Sequence, residues 1–110
     1  MAATYELNKS SDGQFRFALK GGKGETLLNS EGYAAKPSAQ SGIASVQANC
    51  GQDARYEKKT ASNGKAFFNL KAGNHQVIAT SPMHATEALR DAAIEAVKAG
   101  GTTTTIKDNA

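Results

Sequence analysis

The chain has a single cysteine, two prolines, no tryptophan, and aromatic residues at only 6% of its 110 positions. One cysteine excludes an internal disulfide and cannot by itself build a thiolate zinc site. No apolar run approaches the roughly 18 residues that a membrane-spanning helix needs. The opening MAATYELNK lacks the basic-then-apolar layout of a signal peptide. A cytoplasmic protein with no membrane partner is the expectation. Charge of one sign is also scarce: 13 basic against 10 acidic side chains leave a net +3. The excess lies in residues 55–110, with eight basic and five acidic side chains, against five of each in 1–54. That balance falls short of the dense cationic surface typical of nucleic-acid binding.

What is present is glycine, 11 residues of it, with a hydrophobic fraction of 39% and a charged fraction of 21%. These are globular proportions, and the length suits one core rather than two. One folded unit over 1–110 is expected. Within it the chain repeats itself: SDGQFRFALKGG at 11–22 returns as SNGKAFFNLKAG at 62–73. Residues 5–49 align with 56–100 without a gap, and 13 pairs are identical, among them Tyr5/Tyr56, Gly13/Gly64, Phe17/Phe68, Leu19/Leu70 and Val46/Val97. Most identical pairs are turn glycines or apolar residues, the mark of a shared folding requirement. Two repeats follow, 5–54 and 55–108. About fifty residues bury little surface alone, so the repeats are expected to share one core.

Each repeat predicts the same elements. A strand opening with Tyr-Glu (5–9, 56–60) runs into Asp12-Gly13 or Asn63-Gly64, read as a two-residue type I′ hairpin turn. The second strand is FRFALK or AFFNLK. Alternation puts Phe15, Phe17 and Leu19 on one face, with Ala66, Phe68 and Leu70 as counterparts. A turn at 21–24 or 72–75 leads to a third strand (25–30, 76–81), apolar at both parities and read as interior. A helix follows. Pro37 fits the first turn of one, Thr86 the N-cap of the other, and Gly100-Gly101 the end of the latter. Ala39, Ile43 and Val46 line one helix face, and Ile94 and Val97 repeat it. TTTTIKD (102–108) is strand-like. The fold class is therefore α+β, with two tandem β-β-β-α-β-type repeats and one helix per repeat.

These residues resemble a known family. The runs DGQFRFALKGGKGETLLNSEGY and ARYEKKTASNGKAFFNLKAGNHQVIATS, with GIASV in the first helix, are similar to the YegP-like proteins. Those are small bacterial proteins made of tandem copies of a domain of unknown function. The resemblance covers essentially the whole chain. It implies that the repeats share a single antiparallel-rich sheet and exchange their terminal strands. The chain departs at Pro82 and His84, where the pattern favours Glu and Tyr, and in the second helix, which reads AAIEAV. The family supplies no activity and no catalytic residues to carry over.

Local chemistry is sparse. Only His75 and His84 are histidines, and no ligand spacing surrounds them, so neither a metal nor a cofactor is expected. His75 aligns with Gly24 on a turn and is expected in solvent, and His84 aligns with Tyr33, where a planar ring packs. Cys50 continues the buried helix stripe and sits at a helix C-terminus, where nothing activates a thiol; it is read as half-buried and inert. The GGKG turn is not a phosphate loop, and Asp91 and Glu95 at i, i+4 read as a solvated helix face. No catalytic constellation is assembled. The candidate binding face is the outward side of the second strands: Arg16, Lys20, Phe67, Asn69 and Lys71, with Lys23 and Lys65 near the turns. Cations beside an aromatic ring on a sheet can hold phosphates and stack a base. The expectation is a non-catalytic binding or structural module, a protein partner being possible, with sequence-tolerant nucleic-acid binding as the alternative. A duplicated chain can satisfy strand exchange internally, so a monomer is expected.

Overall fold

The computed structural model describes residues 3–110; Met1 and Ala2, part of the expected unit and of the leader reading, lie outside the described residues. Repeat 1 contributes β1 (Thr4–Lys9), β2 (Phe15–Lys20), β3 (Thr26–Ser30) and α1 (Lys36–Asn49). A 3₁₀ turn at Asp53–Arg55 leads into repeat 2, with β4 (Tyr56–Thr60), β5 (Ala66–Lys71), β6 (Val77–Thr80) and α2 (Glu87–Gly100). The last strand, β7, is Ile106–Asp108, so only the end of the threonine-rich run is extended.

All seven strands form one sheet in the order β4-β5-β6-β3-β2-β1-β7. The third strands meet at its centre, antiparallel, with Asn29 opposite Thr80. Those two residues are repeat counterparts, so the two-fold relation between the copies passes between them. The interior reading of the third strands is therefore correct. β7, the closing strand of repeat 2, pairs in parallel with β1 of repeat 1, while every other pairing is antiparallel. The structure is thus two repeats of the β-β-β-α-β type sharing one sheet, with the closing strand present once among the described residues, in repeat 2.

Both helices lie on one side of the sheet. Tyr5, Leu7, Phe17 and Leu19 of repeat 1 and Phe68 and Leu70 of repeat 2 point into a single core with Ile43, Val46, Ile94 and Val97 from the helices. Each such fully buried side chain is worth about 1.5–3 kcal/mol against its exposed state. Thr86 caps α2, its Oγ1 accepting from the Leu89 N–H at 3.1 Å, and Pro37 sits in the first turn of α1. Gly101 ends α2 for a reason other than backbone freedom: its φ is −67°. A Cβ there would stand 2.7 Å from Cys50 Sγ, so the end of α2 needs glycine for close approach.

The hairpin turns differ from the type I′ reading. Gly13 N–H donates to the Ser10 carbonyl at 3.0 Å and Ser10 N–H to the Gln14 carbonyl at 2.8 Å. Gly13 has φ +81°, while Asp12 is not left-handed. The turn is a four-residue one whose last residue alone is left-handed, forming a glycine bulge. Asp12 Oδ1 accepts from the Gln14 N–H at 3.0 Å, a bond open to Asp or Asn without positive φ. The 61–64, 21–24 and 72–75 turns repeat the pattern.

Candidate binding face

The side of the sheet away from the helices is crossed by a row of register partners: Lys107, Glu6, Ala18, Asn29, Thr80, Asn69 and Glu57. Strand alternation then places all five candidate residues on this helix-free face. Asn69 is in the row, and Arg16, Lys20, Phe67 and Lys71 stand at its corners. β2 and β5 run in opposite directions, so Lys20 shares one end of the face with Phe67, and Arg16 shares the other with Lys71. Three strand spacings, about 14 Å, separate the members of each pair.

The two halves of the face are finished differently. In repeat 2, Glu57 sits at the centre of a network. Lys71 Nζ lies 2.8 Å from its Oε2, Asn69 Nδ2 donates to its Oε1 at 3.1 Å, and Thr80 Oγ1 donates to Asn69 Oδ1 at 2.8 Å. Lys59 is 3.7 Å away on the same carboxylate. The bond from Lys71, then that from Asn69, holds the Glu57 carboxyl below its usual range. The charge of Lys71 is thus largely answered within the sheet. In repeat 1, Ala18 replaces Asn69, and no such network forms. A depression of about 330 Å³ opens instead, lined by Asn8, Ser10, Arg16 and Asn29. Arg16 reaches Asp12 at 3.6 Å and Gln14 at 3.4 Å, both in the exposed turn. Lys20 Nζ donates to Thr26 Oγ1 at 2.5 Å, and Phe67 is half-buried opposite Lys59.

Sequence reasoning missed Glu57 and Thr80. The identity of Glu6 with Glu57 was a signal, but linking Glu57 to Lys71 requires the β4–β5 register. The remaining polar candidates have structural roles. Cys50 is wholly buried rather than half-buried, at 0% exposure, because both helix ends close over it, and burial pushes its thiol up. Ser30 and Ser81, identical in the repeat, accept from the Phe17 and Phe68 N–H groups at 2.9 and 3.0 Å. His75 is exposed on its turn. His84 bridges to Ala66 as Tyr33 does to Phe15, and its Nε2 is buried without a partner. Asp91 and Glu95 stand on an exposed helix face, as expected, and both line a groove beside β4. Among the described residues no group of three metal-ligating side chains occurs, and no helix is long and apolar enough to cross a membrane.

The same architecture recurs in solved structures. The solution structure of YegP from Escherichia coli superposes with a TM-score of 0.94 at 61% identity, covering 99% of this chain and 94% of that one. A UPF0339 protein of Shewanella oneidensis gives 0.93 at 54% identity, covering 98% and 92%. In sequence, the UPF0339 protein YegP of Escherichia coli K12 is 62% identical over 109 residues, 99% of each chain. The model for a domain of unknown function, DUF1508, matches twice, at residues 10–57 and 61–108. Shared identity over nearly the full length, with each copy matched by one and the same domain, makes the chain a member of the YegP-like UPF0339 family, built from two tandem DUF1508 domains.

Proposed function

We propose that the protein is a non-catalytic binding module whose contact surface is the helix-free face of its sheet. The observation that carries this reading is the difference between the two halves of that face. Repeat 2 closes its half with the Glu57–Asn69–Thr80–Lys71 network, whereas repeat 1 leaves a depression over Ala18 with Arg16 at its rim. The Arg16 and Ala18 of the depression answer to Phe67 and Asn69 in repeat 2, so the duplicated face offers its basic, small-residue place for a ligand group on the repeat 1 side. The non-catalytic part rests on where the reactive side chains are spent: Cys50 is buried, Ser30 and Ser81 hold strands, and Thr86 caps a helix. Steady turnover by the purified protein in hydrolase and transferase panels would overturn that part.

The alternative is sequence-tolerant nucleic-acid binding by the same face, favoured by the common placement of Arg16, Lys20, Phe67, Asn69 and Lys71. Its weakness is that Lys71 and Arg16 already have carboxylate partners. Amide resonances titrated with short single-stranded and duplex oligonucleotides at low and moderate salt separate the two. The leading reading expects no response that fades with salt. Salt-sensitive shifts clustered on 16–20 and 65–71, weakened by Lys71→Glu, would establish the alternative instead.

A further inference from the structure

The two ends of the sheet are built from equivalent strands but finished differently. At one end Tyr5 of β1 pairs with Ile106 of β7, and Leu7 with Asp108. The Tyr5 N–H donates to the Thr105 carbonyl at 3.0 Å, and the Leu7 carbonyl accepts from the Asn109 N–H at 2.8 Å. Tyr5 and Leu7 therefore turn their backbone groups outward. At the other end β4 is the repeat counterpart of β1, and Lys58 faces Phe68 as Leu7 faces Phe17. By the same geometry Tyr56, Lys58 and Thr60 turn their backbone groups to the outer edge. The Tyr56 N–H is taken by the Asp53 carbonyl of the incoming 3₁₀ turn. Among the described residues no strand pairs with the outer edge of β4.

We propose that this edge docks an extended segment of a partner protein, added parallel to β4 as β7 is added to β1, with Lys or Arg where β7 carries Asp108. A groove of about 430 Å³ runs along the edge between β4 and α2, with Lys58 on one wall and Asp91, Glu95 and Lys98 on the other. On the filled side, α1 holds the added strand through Lys36, whose Nζ is 2.6 Å from Asp108. The repeat counterpart of Lys36 is Glu87. Asp91 and Glu95 follow it at one-turn intervals but are answered by Lys58 and Lys98, each at 3.3 Å, so the acid that stands where the helix beside β7 offers a base is Glu87. The edge residue changes in keeping with its state: Leu7, with β7 beside it, is fully buried, while Lys58, at the same position, is half-exposed and paired with Asp91 at 3.3 Å.

Charge also selects against copies of this chain. Antiparallel pairing of β4 with a second β4 centred on Lys58 would set that residue against its own copy, the ordinary defence of a sheet edge. A β7 lent by a second molecule would set Asp108 against Glu87. Backbone bonds supply the affinity of strand addition, and alternate side chains supply its preference. This surface is the edge of the sheet rather than its face, so the proposal stands whether or not the helix-free face binds anything.

The test uses the full chain and two synthetic peptides. One reproduces residues 103–110, TTTIKDNA, and the other is identical except for lysine in place of its aspartate. In the free protein the Lys58 amide should exchange with solvent far faster than that of Leu7. The lysine peptide should shift and slow the Lys58 amide, and the aspartate peptide should bind about fivefold more weakly, the difference between attraction and repulsion at an exposed pair. Glu87→Lys should reverse that preference. Lys58→Pro, which removes an outward N–H together with the exposed ion pair to Asp91 and is tolerated on an edge, should abolish binding by both peptides while the amide spectrum stays folded. Failure of both peptides to perturb β4, a Lys58 amide already protected in the free chain, or a concentration-dependent dimer protecting that edge would each overturn the proposal.

Discussion

Among single residues, His75 carries a local cost that its counterparts avoid. The four hairpin turns place Gly13, Gly24, Gly64 and His75 at the same left-handed position, with φ between 68° and 83°. Glycine adopts that conformation freely, whereas a side chain with a Cβ strains there by about 1–2 kcal/mol. The bonds around the turn are otherwise complete: His75 N–H reaches the Ala72 carbonyl at 2.9 Å, and Asn74 Oδ1 accepts from the Gln76 N–H at 3.1 Å. His75→Gly should therefore stabilise the protein by about 1 kcal/mol, after allowing for glycine's freedom in the unfolded chain. Urea unfolding at fixed pH measures it, and an unchanged or lowered midpoint would show that the turn is not strained. Alignment with Gly24 made the turn legible in the sequence. The positive φ at His75 was not, because the Asp-Gly and Asn-Gly pairs suggested a turn in which both central residues are left-handed.

The contact between α1 and the sheet shows how elements constrain each other across the repeat. Gly42 is buried in mid-helix, where alanine would ordinarily gain about 1 kcal/mol. A Cβ at Gly42 would lie 2.6 Å from Tyr33 Oη and 2.8 Å from Phe17 Cε2, and Tyr33 stacks on Phe17 with centroids 6.3 Å apart. Overpacking of that kind costs about 1–3 kcal/mol, enough to cancel or exceed the helix gain. In repeat 2 the same positions hold Ala93 and His84, a larger helix residue against a smaller ring. Gly42→Ala should thus lower stability, and Tyr33→His should recover a substantial part of the loss; a double-mutant cycle reads the coupling. Additive effects would mean that the two positions do not compete for space. The elements themselves were legible, because turn glycines, strand alternation and helix stripes are local and occur twice. The partners of the candidate face were not. Lys71 and Asn69 meet Glu57 only through strand register, and β7 reaches β1 from the far end of the chain.

At the scale of the whole molecule, the two repeats are tied through tyrosines. Tyr5 of repeat 1 donates its hydroxyl to the Gly101 carbonyl ending α2, and Tyr56 of repeat 2 donates to the Cys50 carbonyl ending α1, both at 2.5 Å. Each strand thereby caps the other repeat's helix, so neither repeat completes its own helix terminus. Burial first, and then nearby ionisable groups, pushes both hydroxyls well above the ordinary tyrosine value of 10.0. The helix C-terminal dipole acts in the same sense, since a phenolate would face negative carbonyls. Tyr33, the third tyrosine, is raised as well, by burial and then by Glu31. A pKa raised on folding stabilises the protein fully below the unfolded value, and the contribution is lost as pH climbs past it, because the unfolded chain gives up the proton first. Stability should hold through neutral pH and fall above about pH 10, with each crossing tyrosine steepening the decline by at most about 1.4 kcal/mol per pH unit. Phenolate absorbance and far-ultraviolet circular dichroism followed through an alkaline titration should change together, in one transition that melts both repeats. Tyrosines ionising near pH 10 with the circular dichroism intact would mean that these hydroxyls do not lock the halves. Separate transitions for the two repeats would mean that the single core divides.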